Sequence, residues 1–250
     1  MDALSFDGAL GAVEQLVDSG SGGVLFTPNV DHIVTAESNA EFREAYAAAD
    51  LAVADGQWVV WAARLLGTPL PGKISGSDFL LPLARAAGRR GQSIYLLGGA
   101  PGVAEEAARR LEKEGALICG WESPQVDLAA PQDELVARIA ATRPSLILVA
   151  LGCPKQELWI HRHRAQLRPA VLLGVGATLD FIAGRIRRAP PWVSSLGLEW
   201  AFRLLHEPHR LARRYLVNDP TFLAILVRTQ REPVALRVEN PDSVTGTIAL

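Results

Sequence analysis

Asp55 closes the apolar run Leu51-Ala52-Val53-Ala54 and is followed at once by Gly56. A carboxylate at the mouth of a dry strand loses hydration, which favours its protonated form and suits it to general-base work. Aspartate is also a favoured helix N-cap, and a helical pattern starts near Gln57, so capping is the competing role. Four other runs end in usable residues. The run over 23–28 delivers Thr27 and, just beyond it, Asn29. The run over 93–98 delivers Gly98 and Gly99 ahead of Pro101, which stands at a plausible helix start. The run over 146–151 leads to Lys155, Gln156 and Glu157, and the run over 170–176 to Gly174, Gly176 and Thr178. Glycine after a strand lets backbone approach a ligand, and a following helix N-terminus offers N–H groups and partial positive charge to phosphate. A tight strand-to-helix turn without a ligand accounts for the same residues.

Other chemistries find less support. The glycines at 98 and 99 do not form G-x-G-x-x-G, and no acidic residue follows a second strand in the usual ribose-binding place. The chain has no D-x-D, the pair that commonly holds a divalent metal on a nucleotide diphosphate. His32, His161, His163, His206 and His209 make a poor metal set, and His161 and His163, two apart, point to different sides of a helix. Cys153 lies beside Pro154 with no evident base, and with Cys119 it forms neither a disulfide framework nor a metal knuckle. No cofactor and no metal are expected. Phosphate chemistry would rest on helix N-termini, lysine and arginine.

The elements that must position these groups follow from hydrophobic periodicity. Strands are expected at 23–28, 51–55, 93–98, 146–151 and 170–176, with a weaker one at 116–119. Helices are expected at about 31–48, 56–66, 76–89, 102–114, 131–142 and 155–167. Wholly apolar strands alternating with helices predict an α/β fold: a Rossmann-like, mostly parallel sheet covered by helices on both faces. Ligands of such sheets bind beyond the carboxyl ends of the strands, where all five sets of residues above would meet. The predicted organisation is a core over 1–184, a basic helical appendage over 185–231 and a loose tail over 232–250.

With 250 residues, 49% of them hydrophobic and 21% charged, the chain can bury a proper core. No signal peptide and no apolar run of the ~18 residues needed for a membrane span are evident. The charge is uneven. Between Arg185 and Arg231 nine arginines face three carboxylates, a local charge of +6, against −8 in the remainder. This asymmetry points to an anionic partner, a membrane surface or nucleic acid. No aromatic stacking or recognition-helix pattern supports nucleic acid. Arg203, Arg210, Arg213 and Arg214 lie among leucines, with Trp200, Phe202 and Leu204 nearby; an ordinary solvated helix is the plainer alternative.

Several segments together resemble the WecG/TagA/CpsF glycosyltransferases, glycosyltransferase family 26. They are TPNVDHIV (27–34), ADG (54–56), GKISGSDF (72–79), LLGGAPGVAE (96–105), LGCPKQE (151–157), GVGATLDFIAG (174–184), RAPPW (188–192) and GLEWAFRLLHEPHRLARRYL (197–216), in family order. The resemblance implies inverting, metal-independent transfer of a sugar from a UDP-sugar to a polyprenyl-diphosphate-linked sugar. It implies Asp55 as general base, with Thr27, Asn29 and Gln156 in the same pocket. Lys73 stands where the family often has arginine, and a lysine is a point charge rather than a two-pronged phosphate clamp. The strand-end residues Gly98, Gly99, Lys155, Glu157, Gly174 and Gly176 are expected to bind the substrate and its diphosphate. The resemblance further implies an appendage whose arginines serve the diphosphate, and association of copies through the core. It places the protein in the cytoplasm, peripheral on the inner face of the cell membrane. A nucleotide-dependent oxidoreductase and a nucleic-acid-binding protein are the alternative readings.

Overall fold

The computed structural model describes residues 1–186 and 219–231, with Val193, Phe202 and Leu204 between them. Six strands form one sheet: β1 (Gly23–Phe26), β2 (Leu51–Ala52), β3 (Ser93–Gly98), β4 (Leu117–Glu122), β5 (Leu146–Ala150) and β6 (Val171–Gly174). Their order is β2-β1-β6-β5-β3-β4, and every pairing is parallel. The α/β expectation is met.

Side chains of period two divide the core between the faces. Leu25, Leu96, Leu148 and Leu173 point one way, towards helices α1 (Phe6–Ser19), α5 (Gly76–Arg89), α6 (Val103–Lys113) and α9 (Thr178–Ile182). Phe26, Leu97, Val149 and Leu172 point the other way, towards α3 (Ala40–Ala47), α7 (Asp133–Ala141) and α8 (Lys155–His163).

Two helices depart from the expected pattern. The predicted helix over 31–48 is α2 (Val30–Ser38) followed by α3, because Asn39 adopts φ −116°, ψ 104° and its Oδ1 accepts the Phe42 N–H at 3.0 Å. Asparagine offers the backbone this local alternative to a continuous helix. Helix α1 was absent from the sequence-based expectations. Ser5 caps it at one end, and Gly20, at φ 65°, closes the other with its N–H on the Val17 carbonyl.

The outer edge of β2 is closed by the chain's own start: Asp2 N–H donates to Ala52 O at 2.8 Å, and Ala52 N–H donates to Asp2 Oδ2 at 2.7 Å. Of the predicted appendage, the segment Asp219–Arg231 is a helix, α10. It seats Phe222 in a small apolar pocket with Met1, Ile33 and Leu70, and its Arg228 pairs with Glu37 of α2 at 2.7 Å. No helix among the described residues is long and apolar enough to cross a membrane.

Candidate active site

A cleft of about 900 Å³ opens across the carboxyl ends of the strands. Thr27, Asn29, Asp55, Lys73, Gly99, Lys155, Gln156 and Gly176 all line it, so most of the residues singled out above meet in one place.

Asp55 owes its position to β2. Beyond the two paired residues of that strand the backbone keeps its alignment: Val53 N–H donates to Phe26 O at 3.0 Å and Asp55 N–H to Pro28 O at 2.9 Å. The N-cap of α4 (Gln57–Leu65) is Gly56, at φ 112°, which has no side chain to cap with. Asp55 therefore lies outside the helix, and the alternative that it serves as N-cap does not hold. Ile74 N–H donates to Ala54 O at 2.8 Å, which draws Lys73 and Ser75 onto the wall beside Asp55.

Gln156 is buried at the first turn of α8, and its amide is fixed from both ends. Its Oε1 accepts the Gly176 N–H at 2.8 Å, and its Nε2 donates to Glu157 Oε1 at 2.7 Å. The Gly176 N–H can only donate, so it sets which way the amide points. Glu157 is 1% exposed and faces Gln156 and His32 instead of lining the cleft. Its Oε2 and the hydroxyl of Tyr46 are buried without a hydrogen-bond partner among the described residues. Burial, then the charge on Glu157, pushes the Tyr46 hydroxyl well above its ordinary pKa.

His32 completes this buried group. Its Nε2 is 3.2 Å from Glu157 Oε1, and its Nδ1 accepts the Asn29 N–H at 3.1 Å, an N-terminal capping box on α2. Burial opposes a charged ring, while the neighbouring Cys153 and Glu157 favour one and by themselves would raise its pKa to about 10. The cap decides against that charge: a proton on Nδ1 would face the Asn29 N–H, which has nothing else to offer. The ring is neutral, with its proton on Nε2 towards Glu157. His32, Cys153 and Glu157 do bring potential metal ligands within 4.8 Å of one another. The nitrogen a metal would need carries that proton, however, and a ligating histidine normally donates from its other nitrogen, which here accepts.

The remaining predicted residues divide clearly. Gly99 lines the cleft, but its N–H donates to Ala150 O at 2.9 Å, and α6 begins only at Val103 behind Gly102. Gly98, at φ 106°, lies off the cleft, where any Cβ would come within 2.5 Å of the Ala150 carbonyl oxygen. Gly174 is also off the cleft; a Cβ there would sit 2.6 Å from Gln156 Nε2. Thr27 Oγ1 donates to Gly174 O at 3.4 Å, and Asn29 Oδ1 accepts the Asp31 N–H at 3.0 Å. Lys155 Nζ donates to Val126 O at 2.8 Å. Arg203, Arg210, Arg213 and Arg214 lie outside the described residues.

Sequence reasoning passed over Ser75, Ser77, Asp180 and the segment 124–127, all of which line the cleft. Asp180, six residues past the Gly174 strand end, could have been found by reading further; nothing in 124–127 signals a site. Among the described lining residues, Asp31, Asp55, Asp127 and Asp180 face only two ammonium groups, Lys73 and Lys155. The N-termini of α4, α5 and α8, whose N-cap residues make no side-chain capping bond, add partial positive charge at the same rim.

A sequence model of the family described as "Glycosyl transferase WecG/TagA/CpsF family" matches residues 1–235. The N-acetylglucosaminyldiphosphoundecaprenol N-acetyl-beta-D-mannosaminyltransferase of Bacillus spizizenii is 30% identical over 217 residues, 86% of this chain and 82% of that protein. A solved structure of a mutant arylmalonate decarboxylase aligns with 75% of this chain and 79% of its own, at 19% identity and a TM-score of 0.25, too slight a likeness to carry an argument.

Proposed function

The chain belongs to the WecG/TagA/CpsF glycosyltransferase family, and from that premise we propose an inverting, metal-independent transfer from a UDP-sugar to a polyprenyl-diphosphate-linked sugar. The donated sugar is N-acetylmannosamine or a related hexose, since the Bacillus spizizenii relative is named for transfer of the former. The observation that carries the reading is Asp55 held at the end of β2, in one cleft with Thr27, Asn29, Lys73 and Gln156.

In this reaction the acceptor hydroxyl loses its proton to the Asp55 carboxylate as its oxygen attacks the anomeric carbon. The bond from that carbon to the UDP oxygen breaks on the opposite face, which inverts the configuration. A positioned base contributes roughly 10²–10⁴ in rate. The departing diphosphate gains negative charge, which Lys73, Lys155 and the helix N-termini offset. Two ammonium groups against four carboxylates are a sparse supply for a diphosphate, which supports a role for the arginines of the appendage. A lipid-linked acceptor stays in the bilayer, and a +6 segment suits an anionic leaflet at about 1 kcal/mol per arginine.

The test is UDP release from a panel of UDP-sugars, with and without a GlcNAc-diphospho-lipid, on anionic vesicles and in the presence of a chelator. Acceptor-dependent release from one donor, unchanged by the chelator, is expected. Release under neither condition from folded full-length protein removes this reaction, and loss with the chelator removes metal independence.

A further inference from the structure

Helix α4 leaves the cleft with an apolar face turned outwards. Trp58, Trp61 and Leu65 are 44%, 43% and 61% exposed. Spacings of three and seven residues put them on one stripe of the helix. The adjoining flank of α4 is occupied, since Val59 and Ala62 are buried in the core and the small pocket under α10. The two indoles meet edge to face with centroids 5.3 Å apart, so they form one continuous surface. Trp58 itself lines the cleft, whereas Trp61 and Leu65 do not. The stripe thus starts inside the site and runs out of it for about 10 Å at ~1.5 Å per residue.

We infer that this stripe carries the first isoprenoid units of the lipid-linked acceptor from the cleft towards the bilayer. The inference rests on the proposed reaction, because an acceptor sugar at Asp55 places its diphosphate and lipid close by. Asp55 directly precedes Gly56, the N-cap of α4, so the helix that leads away from the base is the one bearing the stripe. A methyl-branched hydrocarbon chain has no polar group to satisfy, and flat indole faces give it contact area without a hydrogen-bonding demand. Tryptophan is also enriched where protein meets the membrane interface, which is where the chain must go.

The test compares Trp61→Ala and Leu65→Ala with wild type on two acceptors: GlcNAc-diphospho-polyprenol, and the same head with a methyl ester in place of the lipid. KM for the lipid acceptor is expected to rise about tenfold, as loss of one well-packed contact implies, with KM for the methyl ester unchanged. Equal changes on both acceptors, or none on the lipid, overturn the inference. A binding measurement stands apart from turnover. Farnesyl diphosphate should shift tryptophan emission to shorter wavelength in wild type, isopentenyl diphosphate should not, and the shift should vanish in Trp58→Phe/Trp61→Phe. If wild type turns over neither acceptor but the farnesyl shift is present, the proposed reaction fails and the prenyl site stands. A shift of equal size from phosphatidylcholine vesicles alone would assign the stripe to the bilayer and overturn the inference.

Discussion

At the scale of single residues, the cleft separates one group placed to take a proton from several that hold others still. Asp55 lines the cleft on a backbone fixed by Pro28 and by the Ile74 contact to Ala54. Asp55→Asn keeps the shape and removes the base, so kcat should fall by roughly 10²–10⁴ while UDP-sugar binding, followed by calorimetry, is unchanged. An equal loss of binding would mark Asp55 as a donor-binding residue. Glu157 acts at one remove. It takes hydrogen bonds from Gln156 and His32 on the same oxygen, at a site 1% exposed. Glu157→Gln weakens both bonds, and the expected cost is about 2 kcal/mol in urea unfolding, the scale of a hydrogen bond to a buried charge. Gln156 keeps its bond from Gly176, so turnover should drop more than substrate KM rises.

At the scale of elements, two glycines of the β-strand ends separate folding from function. Gly98 combines φ 106° with a Cβ position 2.5 Å from the Ala150 carbonyl oxygen, where β3 and β5 finish together. Gly98→Ala should therefore cost about 3 kcal/mol, since strain and backbone collision add and neither can be relieved by a rotamer. Gly174 has no such backbone strain; its added methyl would press on Gln156 Nε2 at 2.6 Å and Phe26 Cδ1 at 3.2 Å. Gly174→Ala should displace the amide at the cleft floor, and UDP release should suffer more than the unfolding midpoint. The opposite ranking of the two variants would contradict this assignment. The same strand ends explain why Gly98 looked like a phosphate loop in the sequence. The left-handed conformation that admits a close ligand here admits a neighbouring strand.

At the scale of the whole molecule, the question is what the basic end contributes. Helix α10 is joined to the core through Phe222 and the Arg228–Glu37 pair, so removing everything after 185 would strip cover from Met1, Ile33 and Leu70 and confound folding with function. Truncation after Arg231 spares those contacts and should leave turnover unchanged. Replacing Arg203, Arg210, Arg213 and Arg214 with glutamine in the full chain should weaken binding to anionic vesicles by on the order of 4 kcal/mol, measured by co-sedimentation. Raised salt should mimic the substitution in wild type, because exposed charges are screened beyond about 10 Å at 0.1 M ionic strength. Vesicle binding that is indifferent to both changes would remove the arginines from membrane contact.

Apolar runs of four to seven residues between amphipathic segments already required a parallel sheet covered on both faces, since only such a sheet buries both sides of each strand. They also required the strand-end residues to share a rim, which brought Thr27, Asn29, Asp55 and Gln156 to one cleft before any contact was known. Period-two and helical patterns are local, and local patterns survive in the sequence. What separated Asp55 from a cap was the φ of Gly56, a backbone angle that the letters D-G leave open. What placed Glu157 behind the wall and Gln156 in it was the meeting of α8 with α2 and the β6 turn, more than a hundred residues from His32 and 20 from Gly176. Those contacts fix a tautomer, an amide orientation and a line of exposed indoles leading from the cleft. All three depend on which surfaces face each other after the sheet has closed, so only the tertiary structure could decide them.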